Sequence, residues 1–321
     1  MLTHILSKIA LAIAVSLLAG CQGGVLDPKG QVGIEEKHLI IVSTVLMLLV
    51  VVPVIFMTLY FAWKYREGRD EIYEPKWSHS TKIETICWVV PIIIVIILGV
   101  ITWKSTHELD PYKPLKSNKD HITVAVLSMN WKWLFIYPDL GIASVNELAF
   151  PANVPVAFKI SSAGTMNSFF IPQLGSQIYS MAGMVTKLHL IANEPGTFKG
   201  YSSNYSGAGF TGMQFNAIAT PTAADFDAWV AKVKASSESL TPATYAALAK
   251  NSENNPVEYY GTVKPSIFKD VVMRFMKDYG PVESLKGTSF DTPMMNAVDM
   301  DKMSHASSKD SSSEMNMEAK K

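Results

Sequence analysis

The chain has 321 residues, 48% hydrophobic and only 17% charged, which is rich in apolar residues for a soluble protein of this size. Its 28 basic residues balance its 28 acidic ones, so it lacks the basic footprint of a nucleic-acid binder, and no nucleic-acid partner is expected. Cysteine occurs only at Cys21 and Cys87, which excludes a disulfide framework and any thiolate metal site downstream of Cys87.

In chain order, residues 1–20 carry Lys8, then an uncharged run from Ile9 to Gly20 that ends in small residues. That run is too short to cross a bilayer and predicts a cleaved secretory signal peptide. The ending Leu18-Ala19-Gly20-Cys21 resembles the bacterial lipobox. The resemblance implies that Cys21 becomes the first mature residue and receives lipid, an anchor and not a redox or metal residue.

Residues 21–38 read as an extracytoplasmic N-terminal segment. Residues 39–63 pass without a charge and predict a first transmembrane helix; residues 83–104, uncharged from Thr85 to Trp103, predict a second. Tyr60, Trp63, Tyr65, Trp88 and Trp103 suit the headgroup level, and neighbouring spans accommodate Pro53 and Pro91. The connector, 64–82, holds Lys64, Arg66, Arg69, Lys76 and Lys82, against Lys29 and Lys37 in the segment before the first span, which places it in the cytoplasm. A lipidated Cys21 outside agrees, because two crossings return the chain to the outside.

From 105 to 220, runs such as "ITVAVL", "WKWLFIY", "VPVAFKIS", "NSFFIP", "VTKLHLIA", "GTFKGYS" and "MQFNAIAT" alternate with turn formers, which predicts an antiparallel all-β sandwich or barrel. Residues 221–287 change period. Phe226, Trp229, Val230 and Val233 fall at i, i+3, i+4 and i+7 behind a Thr222 cap; Thr241 and Pro242 open a second helix; Ile267, Val271, Val272 and Phe275 mark a third. These helices are expected to cover one edge of the sandwich or to dock on a partner. Residues 288–321 hold few large apolar groups and read as a disordered tail.

Specific stretches then resemble subunit II of the heme-copper oxidases: "IETICWVVP" (83–91) its second-span opening, "NWKWLFIYPD" (130–139) the aromatic signature of its cupredoxin domain, and "MNSFFIPQLGSQIYSMAGM" (166–184) the stretch that carries the first copper-binding histidine in cytochrome c-accepting members. The implied fold is a hairpin of two transmembrane helices plus a cupredoxin-like sandwich with a C-terminal helical extension.

Copper-bearing members of that family carry a Cys-x3-Cys-x3-His-x2-Met loop together with the earlier histidine. In "YSSNYSGAGFTGMQF" (201–215) the cysteine positions fall on Ser202 and Ser206, the late histidine on Phe210, the methionine on Met213 and the carbonyl donor on Asn204; the early histidine falls on Asn167. Un-ionised hydroxyls, amides and a lone thioether do not hold dinuclear copper, so no metal is expected in this chain. The whole pattern is similar to subunit II of the cytochrome bo-type ubiquinol oxidases, and "VEYYGTVKPSIFKDVV" (257–272) to their aromatic-rich extension.

That resemblance implies a non-redox subunit with no cofactor of its own. Heme and copper are expected in partner subunit I, ubiquinol as substrate of the complex, smaller membrane subunits and the bilayer as further partners, and the bacterial inner membrane as location with the large domain periplasmic. Glu84, at the cytoplasmic mouth of the second span, has two readings: proton uptake by resemblance, or an interfacial acid answering Lys82. Trp131 and Trp133 are expected to pack the core and contact the catalytic subunit. Two rivals stand beside this reading: a cytochrome c oxidase subunit II with an aberrant copper loop, and a free-standing membrane lipoprotein acting as binding module or assembly factor.

Overall fold

The computed structural model describes residues 24–67 and 79–276. Cys21, residues 68–78 of the connector and the tail from 288 lie outside the described residues.

Two long helices open the structure, α1 (Gln31–Lys64) and α2 (Thr81–Glu108). At 1.5 Å per residue they run about 51 and 42 Å, each longer than the roughly 30 Å hydrocarbon core of a bilayer. Both are apolar all round with their side chains exposed, as at Leu49, Phe56 and Leu59 on α1 and Ile93, Val95 and Ile96 on α2. A helix apolar on every face suits lipid, and both are long and apolar enough to cross a membrane. Both begin outside the uncharged runs, α1 eight residues before Leu39, so its first two turns stand above the hydrocarbon.

The domain that follows is a sandwich. Its strands are β1 (Ile122–Met129), β2 (Lys132–Tyr137), β3 (Ile142–Val145), β4 (Glu147–Pro151), β5 (Val156–Ser162), β6 (Asn167–Phe170), β7 (Ile178–Ser180), β8 (Thr186–Leu190), β9 (Gly196–Ser202) and β10 (Gln214–Thr220). The extension adds α3 (Ala223–Lys234), β11 (Ser239–Leu240), α4 (Pro242–Leu248), β12 (Glu258–Tyr260), β13 (Thr262–Val263) and α5 (Ile267–Met273). One sheet has the order β12-β3-β2-β1-β5-β8 and faces another of order β4-β10-β9-β6-β7. Pairing within these two sheets is antiparallel except β1 with β5 and β4 with β10, where the chain crosses between the sheets; β11 and β13 form a separate parallel pair.

Alternation sets the core. Val124 and Val126 of β1, Trp133, Phe135 and Tyr137 of β2, and Phe158 of β5 point inward against Phe169, Phe198, Met213 and Phe215 of the facing layer. Along β5 and β8, Lys159, Lys187 and His189 take the other face. On β1 and β2 the other face is also buried, so all six residues of β2 are inaccessible. The reason is the extension: Leu240, Leu248, Tyr260, Ile267, Phe268, Val271 and Val272 form a second apolar layer over Ala125, Leu127, Leu134, Ile136 and Val145. Strand period alone cannot reveal a sheet covered on both faces, because the pattern then reads as a continuous apolar run.

The extension therefore works in three places and not only at an edge. Helix α3 closes one end of the sandwich with Phe226, Trp229, Val230 and Val233, all buried in the first core. Thr222 Oγ1 accepts from Asp225 N–H at 3.2 Å and the Asp225 carboxylate accepts from Thr222 N–H at 3.1 Å, a reciprocal cap. Strand β12 lengthens the first sheet at β3, and α4 with α5 cover its outer face. Helix α5 ends at Met273, so Phe275 lies beyond it and is 43% exposed, outside the buried stripe expected of it.

Candidate functional site: a cradle of hydroxyls and amides

The 201–215 loop joins β9 to β10, and the turn before β6 lies against it. Ser202 is the last residue of β9 and Asn167 the first of β6, so the sheet brings their side chains together. Ser202 Oγ lies within donating distance of Asn167 Oδ1 (3.2 Å) and of the Asn204 carbonyl (3.0 Å), and accepts from the Ser168 N–H at 3.3 Å. Asn167 Nδ2 donates to Thr165 O at 3.0 Å. Asn204 Nδ2 donates to Met166 O at 3.2 Å, which ties the loop to the turn before β6. Both Asn167 and Ser202 are buried.

The remaining positions separate. Met213 is fully buried in the sandwich core, while its carbonyl accepts from Ser202 N–H at 3.4 Å. Phe210 packs its ring against Tyr205 at 5.5 Å between centroids, and Tyr205 is 75% exposed. Ser206 Oγ is buried without a hydrogen-bond partner, whereas its carbonyl accepts from Trp131 Nε1 at 3.1 Å. A buried hydroxyl left unpaired is costly and is rare in folded proteins. None of the six positions holds a thiol, an imidazole or a carboxyl, and among the described residues no three His, Cys, Asp or Glu side chains gather as a metal would need.

Trp131 and Trp133 differ although they are neighbours. Trp133 lies wholly inside, edge-on to Phe169 at 5.4 Å and to Phe215 at 5.7 Å. Trp131 occupies the β1–β2 turn with a φ of 64°, a conformation bulky residues rarely adopt, and lies across the loop backbone. A Cβ at Gly209 would stand 2.5 Å from the Trp131 ring, so this close approach requires glycine.

The sequence reading missed the groups that hold this region from the extension side. Lys132, between the two tryptophans, is 2% exposed, and its ammonium donates to the carbonyls of Leu248 (2.8 Å), the last residue of α4, and Lys250 (2.9 Å) just past it. Burial pushes its pKa down, with Glu258 opposing. Asn146 Oδ1 accepts from Trp133 N–H at 2.9 Å and Asn146 Nδ2 donates to Asn255 O at 2.9 Å. Glu147 accepts from Trp229 Nε1 (2.8 Å) and Tyr259 OH (2.6 Å), joining α3 and β12 to β4. A lysine inside an aromatic strand was the available signal for Lys132; the asparagines gave none.

Glu84 stands apart, in the first turn of α2. Its Oε2 lies 3.2 Å from His79 Nδ1, and both side chains are more than half exposed. His79 Nε2 is 3.3 Å from Thr81 Oγ1. The neighbour this structure gives Glu84 is thus a histidine just before the helix, whereas the sequence reading named Lys82. At the other end of the hairpin, His189 Nδ1 lies 3.0 Å from Pro111 O, so the linker leaving α2 rests on β8.

Two apolar helices carrying a cupredoxin-like sandwich define a membrane-anchored protein of the cupredoxin-like class. Residues 139–219 match the family model described as cytochrome c oxidase subunit II, periplasmic domain, and residues 234–278 match the COX Aromatic Rich Motif. The chain is 58% identical over 264 residues to cytochrome bo(3) ubiquinol oxidase subunit 2 of Pseudomonas putida, covering 82% of this chain and 84% of that one. It is 54% identical over 262 residues to ubiquinol oxidase subunit 2 of Acetobacter aceti, covering 81% and 85%. Among solved structures, the periplasmic domain of subunit II of cytochrome oxidase of Bradyrhizobium japonicum is 22% identical with a TM-score of 0.34, over 37% of this chain and 96% of that one. The chain belongs to the ubiquinol oxidase subunit 2 family of the heme-copper oxidases.

Proposed function

We propose that this chain is the non-redox subunit II of a proton-translocating ubiquinol oxidase. Heme and copper sit in a many-span partner, subunit I, where quinol is oxidised and oxygen reduced to water. The observation that carries this reading is the donor set of the cradle. Ser202 and Ser206 stand where dinuclear copper requires thiolates, Asn167 and Phe210 where it requires imidazoles, and only the thioether of Met213 remains, buried in the core. A serine hydroxyl stays protonated near neutral pH and binds copper weakly, so copper does not fit here. An electron donor that diffuses within the membrane needs no relay in the outer domain.

The supporting frame is a hairpin whose outer ends both touch the sandwich, at Gly30 and at Pro111. The sandwich and the start of α1 therefore share one side of the membrane, and Lys64 and Thr81 the other. We assign the sandwich to the periplasmic side of the bacterial inner membrane and the connector to the cytoplasm, with Cys21 as lipid-bearing anchor. Glu84 then lies at the cytoplasmic surface, where a hydrated carboxylate can take up protons for the partner.

Purification of the intact complex in mild detergent tests the assignment. Heme and quinol oxidase activity are expected to co-purify with this chain, while its separated outer domain, incubated with copper and desalted, keeps no stoichiometric metal. Two coppers per outer domain, or recovery of the chain with no heme-bearing partner, would overturn it.

A further inference from the structure

We propose that residues 24–36 form a docking arm that locks the outer domain to the first membrane helix, so that this chain alone fixes how the domain stands on the membrane. The opening turn of α1 has no side-chain cap, and its N–H groups need acceptors. The sandwich supplies one to Gly33 and also holds the two residues that lead into the helix. Lys29 and Gly30 N–H donate to the Gln173 carbonyl at 2.7 and 3.0 Å, and Gly33 N–H donates to the Leu174 carbonyl at 3.1 Å. In return Asn193 N–H donates to the Lys29 carbonyl at 2.8 Å, and Gly30 forms a bridge with Ala192.

Packing makes the fit specific. A Cβ at Gly30 would lie 2.5 Å from the Leu174 carbonyl oxygen and 2.8 Å from that of Ile191, backbone atoms that cannot step aside. Val32 packs on the sandwich core, Gly33 is buried, and Ser176 hydrogen-bonds Glu36. The Lys29–Glu194 ion pair at 3.1 Å is exposed and adds little. These contacts engage the loops after β6 and β8, and β8 lies at the opposite edge of its sheet from β12.

Without the arm, the stretch from Leu109 to His121 would join the domain to α2, steadied by the exposed Pro111–His189 contact. Once that contact opens, a flexible tether of that length lets the domain wander over about 20 Å. With it, a continuous helix rises from the membrane straight into the sandwich. The arm therefore orients the cradle and the exposed Tyr205 before any partner is met.

A cleavable linker tests this on the full-length chain in detergent, apart from any oxidase partner. A protease site is inserted between Ser117 and Asn118, and the cut chain is passed over a sizing column. The outer domain is expected to stay with the hairpin although no covalent link remains. Gly30→Val is expected to release it, with circular dichroism showing that the freed domain is still a β-sandwich. Val32→Asp, which leaves the Gly30 contact untouched, serves as the second disrupting change should Gly30→Val fail to fold. Release from the chain with the natural arm, or retention by a folded variant, would overturn the proposal.

Discussion

The Lys132 ammonium lies 2.8 Å from the carbonyl oxygen of Leu248, inside the protein, and so binds the second strand of the sandwich to the helix that covers it. Lysine offers three donors at the end of a long apolar stem, and two of them here take carbonyls left open at a helix end. Lys132→Met keeps the stem and removes the donors. It is expected to cost about 1–3 kcal/mol of outer-domain stability, because two carbonyls lose their partner in a water-poor site. Urea unfolding followed by tryptophan fluorescence measures it; an unchanged midpoint would show that water replaces the ammonium.

Gly209 and Trp131 yield the second expectation. Gly209→Ala places a methyl group 2.5 Å from the indole, which has to swing off the loop and give up its bond to Ser206 O. The expected cost is about 1–3 kcal/mol, with a red shift of tryptophan emission as the ring meets water. Equal emission in both proteins would mean that the loop backbone yields and the indole stays.

Much of the architecture was legible in the residues. The uncharged runs gave the two membrane helices, and Phe226, Trp229, Val230 and Val233 gave the buried face of α3. The period-2 pattern gave β5 and β8 but not the second covering of β1 and β2, since burial on both faces erases alternation. In the cradle, Asn167, Ser202 and Asn204 were found by position and do meet. His79 beside Glu84, Lys132 beneath α4 and the arm at Gly30 were not found. Each depends on backbone carbonyls or a turn that brings particular groups together, which periodicity does not encode.

Alkaline pH should loosen the outer domain. Burial raises the phenols of Tyr137, Tyr245 and Tyr260, Tyr245 to about 12 from an ordinary value of 10.0. A phenol that holds its proton more tightly folded than unfolded gives stability that is whole below pH 10 and is lost as pH rises through its folded pKa. Lys132, whose pKa burial lowers, acts in the opposite sense: its penalty eases as pH climbs toward 10.5. Burial also raises the Tyr259 phenol and lowers Lys159, so with four phenols against two amines thermal midpoints are expected to fall between pH 10 and 12. Tyr245→Phe should make that fall shallower; an identical slope would show that Tyr245 ionises without unfolding.

The last expectation concerns proton supply at Glu84. Its carboxylate is more than half exposed in the first turn of α2, 3.2 Å from the His79 ring, so water reaches it. The neighbouring imidazole can relay a proton from water to that carboxylate. If Glu84 feeds protons to the partner subunit, Glu84→Gln slows quinol oxidation several-fold in the assembled complex and leaves heme content unchanged. Glu84→Asp retains part of the rate, and His79→Gln lowers it chiefly above neutral pH, where bulk protons are scarce. If the carboxylate only answers the charge around it, Glu84→Gln leaves turnover intact at every pH. Rate against pH at equal heme content separates the two, because loss of assembly removes heme while loss of proton uptake removes only rate.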